Sequence, residues 1–172
     1  MGLLHGLPNT IVVQAFKHLP WLASRWAKRH QFVEGREIPW IPVGKPVAES
    51  VIALVTTAGV HLKSQEPFDM EDPDGDPSFR RIPTDTPRAD LTITHKYYDH
   101  SAADRDINVV LPLDRMRELV AEKHIGGMAP LAYGFMGHIH GPHLRTLMER
   151  TAPEVARRLK EDRAEAVLLT PA

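Results

Sequence analysis

Two kinds of hydrophobic pattern alternate along the chain. From Thr10 to Phe32, Val12, Val13, Phe16, Leu19, Leu22, Ala23 and Trp26 recur at helical spacing, with Pro20 placed to kink or divide the helix. Its charged residues are basic (Lys17, Arg25, Lys28, Arg29) up to Glu34. That pattern suits a solvated helix covering the core, a docking helix for a partner subunit, or a helix lying on an anionic membrane. Pro39, Pro42 and Pro46 then predict an extended connector, since proline blocks helix and inner strand alike. Val51 to Thr57 is a continuous apolar run of the kind that a parallel strand buried on both faces requires. Ala58-Gly59-Val60-His61 reads as a turn, Asp72 to Pro77 is dense in turn formers, and Leu91 to His95 reads as a second strand. Tyr97 to Asn108 is a polar loop. Leu113 to Lys123 is a helix with Leu113, Met116, Leu119 and Val120 on one face. Met128 to Phe135 predicts a short strand, Pro142 to Lys160 a helix bent near Pro153, and Ala164 to Thr170 a last strand.

Strands alternating with helices predict an α/β fold: a mostly parallel sheet with right-handed crossovers and helices on both faces, Rossmann- or flavodoxin-like. The sheet is expected to include Val51 to Thr57, Leu91 to His95 and Glu165 to Thr170. Residues 1–46 form a helical extension and proline-rich connector, and residues 47–172 the α/β domain. A closing strand with no helix after it leaves one face of the sheet short of cover, so the domain is expected to be incomplete at its C-terminus. Ligands of such sheets bind beyond the carboxyl ends of the strands. The loops after Thr57, His95 and Thr170 are therefore expected to converge. His61 and His95, each just past a predicted strand, become candidates for proton transfer or substrate contact as well as for ordinary strand-end polar residues.

Composition narrows the class. The 172 residues are 42% hydrophobic, enough for one folded body, and no apolar run approaches the roughly 20 residues that span a bilayer. A net charge of -1 gives no general attraction to nucleic acid or acidic membranes, and Met1 to Thr10 lacks a secretory signal, so a cytoplasmic protein is expected. Cysteine is absent, which excludes disulfides, thiolate metal sites and a cysteine nucleophile within these residues.

From about residue 47 onward the chain resembles a known family. The resemblance is carried by Ile52-Ala-Leu-Val-Thr-Thr-Ala-Gly-Val-His-Leu-Lys63, Asp76-Pro-Ser-Phe-Arg-Arg-Ile-Pro83 and Thr94-His95 with Tyr98-Asp99. It continues in Asp104-Arg-Asp-Ile-Asn-Val-Val-Leu-Pro-Leu-Asp-Arg115, Ala129-Pro130, Tyr133-Gly-Phe-Met-Gly137, Ala156-Arg-Arg-Leu-Lys160 and Ala166-Val-Leu-Leu-Thr-Pro-Ala172. Together these motifs resemble the selenoprotein B family, the selenocysteine subunits of glycine, sarcosine and betaine reductases and of D-proline reductase. The resemblance implies that the strand ending at Thr170 runs into a loop carrying selenocysteine, with a cysteine three residues later. The chain is then expected to be truncated directly before that selenocysteine, by an in-frame UGA codon read as a stop or by a true loss of the site. It further implies a partner subunit whose pyruvoyl group holds a small amine substrate, no cofactor in this chain, and a thiol electron donor such as a thioredoxin system. The reaction implied is reductive cleavage of a C–N bond. The alternative is a catalytically inactive α/β module that binds a ligand or partner.

Candidate substrate-binding residues follow from the same crevice and motifs: Thr57, Gly59, Asp99, Asp104, Asn108, His138 and Thr170. Asp99, Asp104, Asp106 and Asn108 can equally form an ordered turn held by Asx hydrogen bonds. His138, His140 and His143 invite a metal reading, but no HExxH pattern accompanies them and Gly141-Pro142 interrupts any helix, so no metal site is assigned. The Met136-Gly137-His138 part resembles the glycine-reductase branch more than the proline-reductase branch.

Overall fold

The computed structural model describes residues 11, 15, 17–28 and 41–172. Val12, Val13, Phe16, Arg29, Phe32, Glu34 and Pro39, all used in the expected N-terminal helix and connector, lie outside the described residues. The chain forms two compact units, one up to Pro42 together with Lys96–Asp99, the other Val43–His95 with His100–Ala172. In the first unit, helix α1 spans Pro20–Ala27 and Leu19 is non-helical, so the helical pattern is divided at Pro20. Lys17 and Asp99 of this unit form an ion pair at 2.9 Å.

In the second unit the central strand is β1 (Val51–Thr56), as its apolar run predicts; Ala53 and Leu54 are buried and Thr56 is fully buried at its end. The chain then turns sharply at Gly59 into β2 (Val60–Leu62) and continues to β3 (Arg80–Pro83), β4 (Leu91–Ile93) and the short helix α2 (Ser101–Arg105). Helix α3 (Leu113–Ala121), β5 (Gly127–Met128), β6 (Leu131–Gly134), α4 (Gly141–Thr146), α5 (Ala152–Glu161) and β7 (Ala166–Thr170) complete it. One edge of β1 pairs in parallel with β5 and then β6; the other edge pairs in parallel with β7 from Ile52↔Ala166 to Thr56↔Thr170. β5 and β6 are two pieces of one predicted strand, separated at Ala129-Pro130, where proline has no N–H for the ladder. β3 adds antiparallel to β6 at the edge of the sheet.

The chain crosses from β1 to β6 on one side and from β6 back across β1 to β7 on the other. Right-handed connections then put α3 and α5 on opposite faces. Side chains agree on the α5 side: Ala53, Val55, Tyr133 and Phe135 pack with Val155 and Leu159. The α/β class is therefore observed, while the antiparallel β3 edge departs from a regular Rossmann or flavodoxin arrangement.

Three expectations are corrected. Leu91–Ile93 is a strand, but it pairs antiparallel with β2 in a separate two-stranded sheet and is not part of the parallel sheet. Its Leu-Thr-Ile alternation is that of a strand with one covered face, and the tight turn at Gly59 supplies β2 as a neighbour before the chain can cross over. The expected Tyr97–Asn108 loop contains α2, with Ala103 buried, and a 3-10 turn at Ile107–Val109. The expected turn Ala58–His61 gives way at Val60 and His61 to strand β2. The Pro142–Lys160 helix is met as expected: the backbone stays helical from Gly141 to Glu161, with a π turn at Leu147–Thr151 just ahead of Pro153. β7 itself carries Val167, Leu168 and Leu169 at 42%, 42% and 68% exposure.

These burials predict unequal mutational costs. Leu54→Ala on the central strand should destabilise by about 3 kcal/mol in a urea titration, the usual cost of a buried Leu→Ala cavity. Leu168→Ala should cost less than about 1 kcal/mol; equal costs would mean that β1 is not the core strand.

Candidate functional site

The parallel strands β1, β6 and β7 all end at one edge. Because the chain crosses from β1 to β6 on one side and then from β6 back to β7 on the other, the ends of β1 and β7 are the topological switch point of the sheet, the position at which α/β folds bind ligands. Polar groups hold the strand ends together there. Thr57 N–H donates to the Thr170 carbonyl at 3.1 Å, Thr56 Oγ1 donates to the same oxygen at 3.2 Å, and Ala172 N–H donates to Thr57 Oγ1 at 3.1 Å. Thr170 Oγ1 donates to the Val110 carbonyl at 2.6 Å, which ties the end of β7 to the loop before α3.

Gly59 turns the chain out of β1 with φ +71°, its N–H bonded to the Phe135 carbonyl at 2.8 Å and its carbonyl to Thr94 N–H at 2.9 Å. A Cβ there would lie 2.4 Å from the Thr94 oxygen, so only glycine fits. This contact brings the end of β4, and with it His95, back to the switch point. Gly137 N–H donates to His95 Nε2 at 3.2 Å. A Cβ on Gly137 would stand 2.5 Å from the Ala172 carbonyl oxygen, 3.1 Å from the Thr57 oxygen and 3.4 Å from His95 Nε2. Four segments thus meet at Gly137. The sequence reading quoted Gly137 in a motif without assigning it a role; a glycine after a strand-ending Gly134-Phe-Met run was the available signal for a close backbone approach.

His95 is buried, and burial first, then the positive charge that His138 and His100 carry when protonated, pushes its imidazole down to about 4. It is neutral at physiological pH. Because Nε2 accepts the Gly137 N–H, the ring proton sits on Nδ1.

The other candidates are placed as follows. His61 is buried with both ring nitrogens engaged, Nδ1 with the Leu62 carbonyl and Nε2 with Thr94 Oγ1, each at 2.8 Å, and it stacks edge-on to Phe68. His138 follows Gly137 directly; its Nε2 bonds the Pro73 carbonyl at 3.0 Å and its ring meets His140 at 4.4 Å. His143 Nε2 pairs with Asp72 at 2.8 Å, which raises the imidazole above and holds the carboxyl below their ordinary ranges. Among the described residues no three His, Asp or Glu side chains are gathered so as to hold a metal ion. Asn108 is bound within its own turn: Asp106 Oδ1 accepts from its N–H and Nδ2, and its Oδ1 accepts the Asp114 N–H. Asp104 pairs with His100 Nδ1 at 2.8 Å. Asp99 belongs to the first unit, where it meets Lys17. The structure therefore gathers Thr57, Gly59, His95 and Thr170 near the switch point, with His138 adjoining, and engages His61, Asp104 and Asn108 in local bonds.

The fold is that of an α/β protein whose parallel strands β1, β6 and β7 end at one edge. Comparison with protein families gives this class a family: residues 35–172 match glycine/sarcosine/betaine reductase selenoprotein B, and the chain belongs to that family. Among curated proteins, D-proline reductase subunit gamma of Acetoanaerobium sticklandii is 44% identical over 131 residues, covering 76% of this chain and 52% of that protein. The chain thus spans about half the length of this curated relative. No solved structure matches. No helix among the described residues is long and apolar enough to cross a membrane.

The neutral His95 has a measurable consequence. The ring 15N signals should keep the Nδ1–H pattern from pH 8 down to pH 5, with protonation only near pH 4. Since the unfolded chain takes up this proton near pH 6.5 and the folded chain does not, this histidine lowers folding stability as pH falls through that window. A titration midpoint at 6.5 or above would contradict the buried, acceptor geometry.

Proposed function

We propose that this chain is a subunit of a selenocysteine-dependent reductase of the glycine, sarcosine, betaine and D-proline type, cleaving a C–N bond of an amino acid or related amine. The observation that carries the reading is the convergence of Thr57, Gly137, His95 and the end of β7 on the switch point, in a chain of the selenoprotein B family. A nucleophile directly after Ala172 would stand at the carboxyl end of a parallel strand, the position where such sheets bind ligands.

The residues present hold no thiol, so they cannot themselves carry electrons or form a covalent link to carbon through sulfur. The reaction requires a selenolate after Ala172 to bond to the substrate α-carbon as the C–N bond breaks and nitrogen leaves with the electron pair. A neighbouring thiolate then attacks selenium, the carbon departs with its electron pair and takes a proton, and a dithiol donor supplies the two electrons that reopen the Se–S bond. A partner subunit bearing a pyruvoyl group would hold the amine. Thr57, Gly59, His95, His138 and Thr170 frame the space in which the carbon is attacked. Asp104, Asn108 and His61 are secondary candidates for contact with substrate.

Two experiments test this. The codon after Ala172 should be TGA, followed by an open frame with cysteine three codons on; TAA, TAG or an unreadable frame favours an inactive binding module. The 172-residue chain, freed of contaminating thiols, should show no dithiol-dependent turnover. The chain extended through that codon should acquire one group that iodoacetamide traps, more slowly as cysteine than as selenocysteine at neutral pH because less of it is ionised. Turnover by the 172-residue chain would sink the placement of the nucleophile.

A further inference from the structure

We infer that His95 is a positioning residue for this site: its Nε2 accepts the Gly137 N–H and so holds Gly137 beneath the Ala172 carbonyl, setting the path of the chain across the switch point. The inference rests on the reading that the reactive residue follows Ala172. It assigns His95 a different task from the proton transfer that its place after a strand first suggests.

The geometry has three parts. The imidazole is buried, so its direction is fixed by its surroundings. Its acceptor nitrogen meets a backbone N–H of the one residue whose missing side chain lets three backbones approach: Gly137, Thr57 and Ala172. Gly137 in turn lies in the segment whose Phe135 N–H bonds the Thr56 carbonyl at 2.8 Å, with Met136 bridging Ala58 just before it. Removing the acceptor would leave the Gly137 N–H without this bond at a site too crowded for a simple rearrangement.

A histidine serving as base or as cation beside a selenolate would need its ionisation near neutral pH. Here the Nε2 lone pair is already given to an N–H, and His138 and His100 oppose a positive charge on the ring. In this arrangement His95 is a neutral hydrogen-bond acceptor.

The test uses His95→Gln, whose amide oxygen reaches about as far as Nε2 and can accept the same N–H, and His95→Leu, which fills similar space without an acceptor. In the 172-residue chain, Gly137 amide exchange should rise at least about fivefold in His95→Leu, one ordinary hydrogen bond's worth, and stay within about twofold of wild type in His95→Gln. In the chain extended with cysteine at position 173, the pH midpoint of iodoacetamide alkylation should be the same for wild type and His95→Gln. An upward shift of that midpoint in His95→Gln would show that a positive imidazole activates the nucleophile, and would overturn the inference. Equal Gly137 exchange in all three proteins would overturn it as well. If the thiol at position 173 fails to react in the folded wild type while exchange follows the expected order, the placement of the nucleophile fails and the positioning role stands.

Discussion

The parallel ladder between β1 and β7 is the constraint on which the rest of this structure depends. It runs the length of both strands and continues past them, through Thr57 N–H to Thr170 and Ala172 N–H to Thr57 Oγ1. Because β1 is already engaged by β5 and β6 on its other edge, β7 can join only by a crossover in the opposite direction. That reversal makes the two strand ends the switch point of the sheet. The site is thus a consequence of strand order, and strand order follows from one apolar run that must be buried on both faces.

Around that switch point the chain supplies a frame and no electron carrier. Its threonine hydroxyls hold strand ends, its glycines permit close passage, and His95 stays neutral and accepts a hydrogen bond. A frame of this kind suits chemistry in which the bond-making atom is added at a fixed place and the substrate is delivered by another subunit. Rigidity at the strand ends then matters more than charge, since misplacing a reacting atom by an ångström can cost about a hundredfold in rate.

Much of this was legible in the sequence because burial writes itself as continuous apolar residues. Val51 to Thr57 was recognisable as an inner parallel strand for that reason, whereas Ala166 to Thr170 carries the same apolar signal and yet exposes Val167, Leu168 and Leu169. The strand-end rule then pointed to Thr57 and Thr170, and to His95 by way of a strand that lies outside the parallel sheet. What was not legible was pairing partner. Leu91–Ile93 carries a strand signal that is silent about its neighbour, and the antiparallel partner β2 was hidden in a segment read as a turn. Arg80–Pro83 has too few residues and too much charge to announce an edge strand, yet it completes one side of the sheet. Side-chain partners were equally hidden: nothing in the spacing of His61 shows that Leu62 and Thr94 would occupy both its nitrogens. Gly137 owes its importance to three segments distant in sequence, which no local pattern could bring together.

The central claim is that the chain beyond Thr170 lies against Thr57 across the switch point. A chain without native cysteine allows a direct measurement, using the paired substitution Thr57→Cys with Ala172→Cys. Mild oxidation of the folded double variant should close a disulfide, read as a loss of two mass units and of both alkylation sites, and the same treatment in urea should close it far more slowly. Two free thiols persisting in the folded protein, with no faster closure than in urea, would contradict the account.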